Sequence, residues 1–390
     1  MDRSAEVGVA VDRARDHLIG VSQSIHAHPE LGYEEHHASG LLAEALEQGG
    51  FAVEPGAYGI ATSFAARAGD GPGPHLVICC EYDALPGIGH GCGHNIIAAA
   101  GLGAGLALRP LVEGLGARLT VLGTPAEELG GGGKIKLLEA GAFEGAAVAM
   151  MIHPSVADVG WAPHIATTRI EVAMHGRASH AAAAPWDGIN ALDGIVSAYT
   201  AVAALRQHVR PGEKVHGIIT NGGAAENIVP ELAEAMFQVR APKRPQLERL
   251  VARVMACFEG AATQTGCRLH AQPRGAYAEM LYNKPLADAY RANGEALGRS
   301  FIDPEIIPLS VAGSTDMGDV SHAVPTLHAM IRIADLDVPG HSDRFREAAA
   351  SAAGDQAVVD GAKTLAMTAV DLWERPEILD AAAGDFGRQA

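Results

Sequence analysis

The stretch EYDALPGIGHGCGHN, residues 81–95, sets a thiol and an imidazole, Cys92 and His94, two positions apart among glycines. Thiolate and imidazole both suit zinc or a similar divalent ion, and flanking glycines let a backbone fold closely around one. The same pair also fits a reduced cysteine and a surface histidine in a turn, and no zinc-ribbon spacing follows it. A second candidate is the pair Glu127–Glu128 in TPAEELGGGG. Adjacent carboxylates repel unless a cation is near. In extended backbone they point to opposite sides, so one can hold a metal while the other faces a bound water. A solvated acidic loop is the plainer alternative. His153 ends the apolar run GAAVAMMIHPS, and His341 follows a Pro-Gly turn in VPGHSDRF. Singly, they read as a core histidine and a loop histidine. Together, Cys92, His94, Glu128, His153 and His341 supply N, O and S donors enough for two metal ions, with room for water or substrate.

Such residues need elements to deliver them. HLVICC is a continuous apolar run, a buried parallel strand that opens into the glycine-rich loop. NIIAAAGLGAGLAL follows as a helix of small residues. ARLTVLGTPAEELGGGG repeats the plan of strand then acids, and GAAVAMMIHPS is a third strand. Polar residues thus collect at strand carboxyl ends, where open α/β sheets place ligands. Residues 5–20 and 38–48 carry helical spacing. From TRIEVAMHG the pattern changes. Strands at TRIEVAMHG, KVHGIITNGG, ELAEAMFQVRAP and CRLHAQPRG, with helices over 188–208 and 244–265, give the β-α-β-β-α-β order of a small ferredoxin-like domain. The predicted organisation is an α/β catalytic domain in two parts, 1–165 and 281–390, with the ferredoxin-like domain inserted over 166–280. A cleft between domains is a favoured place for a site.

The totals agree with two domains: 390 residues exceed a usual single core, and 48% apolar content argues against disorder. A net charge of −17 disfavours nucleic acid and anionic membrane as partners. No apolar run is long enough to span a bilayer. The N-terminal MDRSAEVGVAVDRARDHLIG reads as a charged amphipathic helix without a signal-peptide core. The cysteines, Cys79, Cys80, Cys92, Cys257 and Cys267, are odd in number and lack scaffold-like spacing, and four of them read as buried, reduced thiols in a cytoplasmic protein. Neither H-E-x-x-H nor a G-x-S-x-G elbow occurs. GGGGK fails as a phosphate loop: Glu128 stands where Gly is needed, and Ile135 follows Lys134 where Ser or Thr should bind magnesium.

EYDALPGIGHGCGHN, PAEELGGGGK and PGHSDRF resemble the metallopeptidase family that holds metal-dependent aminoacylases and glutamate carboxypeptidases. SIHAHPELGYEE at 24–35 and HGRASHAAAAPWDGINAL resemble its amidohydrolase branch, which includes aminobenzoyl-glutamate hydrolase subunits, aminoacylase-like proteins and auxin-conjugate hydrolases. The resemblance runs from about residue 20 to 350. It implies a zinc-peptidase-like mixed sheet with an inserted lid or dimerisation domain. It also implies a divalent pair (zinc, or manganese, cobalt or nickel) on Cys92, His94, Glu128, His153 and His341. Glu127 falls at the family's catalytic glutamate. His180 falls at an inserted-domain histidine that reaches an active site, often the partner subunit's, to stabilise the oxyanion. Asn227 and Arg240 resemble substrate-binding positions, as do Ser314 and Asp316 in GSTDMGDVS. Many relatives carry Asp where this chain has Asn95, which points toward aminoacylase-like and aminobenzoyl-glutamate types. The expected activity is hydrolysis of a small amide by metal-activated water, in a homodimer formed through the inserted domain. The alternatives are a catalytically silent binding protein and a partner subunit of a hetero-oligomeric hydrolase.

Overall fold

The structure, a computed structural model, describes residues 2–389. It contains two compact units. The first comprises the chain up to Pro163, Met280–Pro308 and the chain from Asp316 onward; the second comprises His164–Glu279 and Leu309–Thr315. The short 309–315 segment therefore goes with the second unit, whereas the sequence pattern assigns it to the catalytic flank.

In chain order the first unit forms β1 (Ala52–Pro55), β2 (Phe64–Ala68), β3 (His75–Cys80), β4 (Arg118–Gly123) and β5 (Val148–Ser155). The second unit holds β6 (Ala166–His175), β7 (Lys214–Asn221), β8 (Leu232–Ala241) and β9 (Arg268–Tyr277), and β10 (Thr326–Arg332) returns to the first. The helices are α1 (Arg3–Ala27), α2 (His36–Gln48), α3 (His94–Leu108), α4 (Gly133–Glu139), α5 (Ala191–Leu205), α6 (Arg244–Thr265), α7 (Lys284–Ala296), α8 (Met317–Ser321), α9 (Asp343–Ala349), α10 (Ala352–Glu374) and α11 (Pro376–Gln389).

The first unit is built on a six-stranded mixed sheet ordered β1-β2-β4-β3-β5-β10. Four neighbours, β4, β3, β5 and β10, run parallel, while β1 and β2 add antiparallel pairings at one edge. The parallel strands are buried on both faces, which is why they read as unbroken apolar runs. Leu76 and Ile78 join a core with residues of α1, α3 and α10, while Val77 and Cys79 join another with Leu137 of α4 and Met317 and Val320 of α8. Helix α3 is made of small residues because it is clasped on several sides. A Cβ at Gly103 would lie 2.6 Å from Leu18 and 2.9 Å from Ala362.

The second unit is an antiparallel sheet ordered β7-β8-β6-β9. Its chain order β6-α5-β7-β8-α6-β9 is the β-α-β-β-α-β arrangement expected. The side chains of Ala233, Ala235, Phe237 and Val239 alternate inward to meet Ile195 and Val202 of α5 and Leu250, Val254 and Phe258 of α6. No helix among the described residues is long and apolar enough to cross a membrane.

Candidate metal centre

The parallel strands bring their carboxyl ends to one edge, and the candidate ligands of the first unit lie just beyond them. The chain after β3 carries Glu81, Asp83 and Cys92 and enters α3 at His94. The loop after β4 carries Glu127 and Glu128, β5 carries His153 near its end, and His341 lies beyond β10 with φ +58°. A left-handed histidine is strained, and such strain persists only where surrounding contacts hold it. The His341 N–H donates to the Gly91 carbonyl at 2.9 Å, tying it to the Cys92 loop.

Three overlapping donor groups result: Cys92, His94 and His153; Cys92, Glu128 and His341; His94, Glu127 and Glu128. Within each, the donor atoms lie within 4.8 Å of one another. Cys92 Sγ is 3.5 Å from Nε2 of both His153 and His341. Glu128 Oε1 is 3.6 Å from His341 Nε2 and 4.0 Å from His94 Nε2. Metal–ligand bonds of ~2.0–2.3 Å put tetrahedral donors ~3–4 Å apart, so this spacing fits a cation. Two further observations agree. His94 Nε2 and Glu128 Oε1 are buried with no hydrogen-bond partner among the described residues, a cost that a shared cation removes. Burial, with Glu128, Glu81 and Asp316, pushes the Glu127 carboxyl well above its ordinary pKa, and burial raises Glu128 despite His94 and His341. A bound divalent ion inverts that electrostatic balance.

Residues that the sequence did not single out as functional hold the candidate ligands. Asp83 Oδ1 meets His94 Nδ1 at 3.0 Å, and Asp83 Oδ2 accepts the Glu128 N–H at 2.8 Å. One carboxylate thereby orients an imidazole and the neighbouring ligand loop, the usual support of a metal-binding histidine. Burial alone favours neutral His94, but Asp83 and Glu81 outweigh it and raise its pKa well above the ordinary value. Behind the ligands, Lys134 is fully buried, with Nζ 2.5 Å from Glu81 and 2.6 Å from Asp316. Burial lowers its pKa, but Asp316, Glu81 and Glu127 more than offset that. The buried His328 of β10 brings its ring to 5.6 Å from that of His153.

Asp316, expected to line a cleft and bind substrate, is instead buried. Its carboxylate accepts from the Lys134 backbone N–H at 2.9 Å as well as from Nζ. Burial raises its pKa to about 6, with Lys134 opposing. Its role is to anchor the start of α4. Asn95 is also buried, donating to Ser22 Oγ at 2.8 Å and the Ala349 carbonyl at 3.2 Å. It fastens α3 to α1 and α9, so its contacts speak to scaffold rather than substrate.

The remaining candidates lie in the second unit. His180 is exposed, and its Nδ1 accepts the N–H groups of Ala182 and Ala183 at 3.2 and 3.1 Å. With Nδ1 accepting, Nε2 is the ring nitrogen left to donate. Asn227 is exposed in the turn just before Ile228, and its carbonyl accepts the Ala181 N–H at 3.0 Å. Arg240 is half-buried and donates to Ser314 Oγ at 3.2 Å; Ser314 in turn donates to the Ile165 carbonyl at 2.7 Å. Among the described residues Arg240 has no carboxylate partner, and burial lowers its pKa.

The profile of peptidase family M20/M25/M40 matches residues 78–369. The Xaa-Arg dipeptidase of Mus musculus is 41% identical over 96% of this chain and 90% of its own length. The human Xaa-Arg dipeptidase is 42% identical over 98% and 91%. A p-aminobenzoyl-glutamate hydrolase of Escherichia coli is 28% identical, through one of its polypeptides, over 93% and 90%. Among solved structures, an aminobenzoyl-glutamate utilization protein from Klebsiella pneumoniae superposes with TM-score 0.76 at 19% identity, covering 94% of this chain and 98% of that one. A dinuclear metal-binding peptidase from Bacillus subtilis gives 0.69 at 20% identity, covering 93% and 99%. These superpositions share the mixed α/β fold described above.

Proposed function

The chain belongs to peptidase family M20/M25/M40, and from that premise we propose that it hydrolyses the amide bond of dipeptides, foremost those ending in a basic residue, with Glu127 as general base. The observation that carries this reading is the grouping of the Glu127 carboxylate with His94 and Glu128, within 4.8 Å, at the edge where the other donors converge. The identity to Xaa-Arg dipeptidases over nearly the whole chain supports the substrate choice. N-acyl amino acids and aminobenzoyl-glutamate form the second substrate class.

Cys92, His94, Glu128, His153 and His341 would hold two divalent ions, zinc or a mixed-ligand alternative such as manganese, cobalt or nickel. Bound there, they would supply Lewis acidity and a water acidified toward pKa ~7. Glu127 takes the proton of the attacking water and returns it to the departing amine, so one carboxylate serves as base and then acid. Its buried setting shields the proton from bulk water between the two steps. His180 Nε2–H donates to the carbonyl oxygen as charge develops there. Arg240, with a hydroxyl but no anion beside it, receives the substrate's free carboxylate, and Asn227 and Ser314 orient the amide. Homodimerisation through the second unit is supported by the edge position of β7, where Ile218 and Ile219 are 60% and 42% exposed. Apolar edges of this kind invite pairing with another strand.

The test is a purified single chain loaded with defined metals and assayed on Xaa-Arg and Xaa-Lys dipeptides, N-acyl amino acids and aminobenzoyl-glutamate. Hydrolysis of the basic dipeptides, lost with chelator and restored by metal, is expected. Glu127→Gln should retain metal and lose ~10²–10⁴-fold in kcat. An active Glu127→Gln enzyme refutes the base. A chain that stays silent with every metal and substrate refutes hydrolysis and favours a binding protein or a partner subunit.

A further inference from the structure

The segment Gly32–Glu35 lies far from Glu127 in sequence, yet three of its residues touch the loop that carries it. Glu35 is fully buried, and its Oε1 accepts the Ala126 N–H at 2.8 Å. Tyr33 Oη donates to the Gly131 carbonyl at 2.5 Å, and its ring receives Lys136 Nζ at 3.9 Å from the centroid. Gly32 lies flat against Ala126, where a Cβ would come within 2.9 Å of the Ala126 methyl and 3.1 Å of its Cα. Ala126 itself has φ +56°, and Tyr33 has φ +68°. A left-handed alanine is strained, so something must hold it. On the far side of Glu127, Asp83 accepts the Glu128 N–H. The N–H groups of the residues on either side of the glutamate, Ala126 and Glu128, are thus each tied to a buried carboxylate.

We propose that Gly32, Tyr33 and Glu35 form a positioning strap for the general base. The strap locks the strained Ala126 turn so that the Glu127 carboxylate is presented beside His94 and Glu128. The proposal rests on the reading of Glu127 given above. Glu35 touches neither substrate nor reacting atoms; it acts through Ala126. A 1 Å misplacement of a reacting group can cost ~10²-fold in rate. The strap's signature is therefore a loss in kcat with little change in KM or in metal content.

The experiment uses the full-length, metal-loaded protein. Glu35→Ala is expected to lower kcat ~10²-fold while KM changes less than ~3-fold and metal stoichiometry stays that of the parent. Glu35→Gln keeps an oxygen acceptor for the Ala126 N–H and should recover most of the loss, which a general loss of packing would not allow. Gly32→Ala should behave like Glu35→Ala, because its methyl must displace Ala126. Tyr33→Phe should cost a smaller factor. The strap is overturned if folded, metal-loaded Glu35→Ala has parental kcat. It is also overturned if Glu35→Gln is no better than Glu35→Ala and both lose metal, since the segment then serves the metal centre. If Glu35→Ala fails to fold, Gly32→Ala and Tyr33→Phe decide, and parental kcat in both overturns the idea. Glu127→Gln run in parallel separates the two readings. If it is inactive while the strap variants are fully active, only the strap falls; if it is active, the base assignment falls first.

Discussion

At the scale of single residues, the organising fact is a surplus of buried acid. Glu81, Asp83, Glu127, Glu128 and Asp316 crowd behind and beside the donor groups, and Lys134 is the buried ammonium among them. Removing one partner of a buried ion pair costs more than the pair contributes, because the remaining charge is stranded. Lys134→Met is therefore expected to destabilise the metal-stripped protein by ~3–5 kcal/mol, read from urea unfolding. Adding Asp316→Asn should recover part of that loss by neutralising one stranded carboxylate. An unchanged unfolding midpoint in Lys134→Met would mean that the lysine holds nothing together. Lys134 also marks where the sequence runs out of information. In the chain it suggests only the lysine of a phosphate loop, and its partner Asp316 lies 182 positions away. Cys92, His94, Glu127, Glu128, His153 and His341 are legible because their residue types carry metal or proton chemistry by themselves. Asp83, Lys134 and Glu35 act only through partners that folding supplies. Asp316 misleads for the same reason: a glycine-flanked Ser-Thr-Asp loop looks exposed until its buried cation is known.

Among the elements, the doubly buried strands are the most legible, because a short continuous apolar run ending in turn residues fits little except a buried strand. The edge strands are not. Residues of β1 are mostly exposed and end in proline, and β2 is largely alanine, so neither carries strand periodicity. Helix α1 runs on to Ala27, beyond the residue 20 that its apolar spacing suggests, because its last turns, SQSIHA, are mostly polar. The β3–β4 pair also holds a titratable element. His75, at the start of β3, bonds Thr120 Oγ1 of β4 at 2.8 Å. Burial, then Arg118 and Arg67, lowers its pKa to about 4 from 6.5. Between those values the unfolded chain binds more protons than the native one, so the His75 contribution is complete above pH 6.5 and drains away as pH falls toward 4. The expected outcome is a fall in urea midpoint between about pH 7 and about pH 5 that is smaller in His75→Gln than in the parent. Equal slopes in the two proteins would show that His75 titrates alike folded and unfolded.

On the scale of the whole molecule, the candidate site residues are divided between two units that fold around separate cores. The donor groups and Glu127 belong to the first unit, while His180, Asn227, Arg240 and Ser314 belong to the second. On the proposed mechanism neither unit can catalyse alone, because the general base and the oxyanion donor belong to different units. His180→Ala should then keep its metal and lose ~10²–10³-fold in kcat, the usual loss when an oxyanion donor is removed. The proposed dimer gives this variant a sharper use. If His180 of one copy serves the centre of the other, mixing Glu127→Gln with His180→Ala and exchanging subunits creates mixed dimers. In each, one site pairs an intact Glu127 with an intact His180. Random exchange of two-fold dimers then restores about a quarter of parental activity, since half the dimers are mixed and each has one good site. If both residues act within one chain, no mixture recovers anything, because every site lacks either its base or its donor. Recovery after exchange, absent before it, is the expected result. A mixture that remains dead, although labelled subunits have demonstrably exchanged, confines the reaction to a single chain and leaves β7 without a catalytic reason to pair.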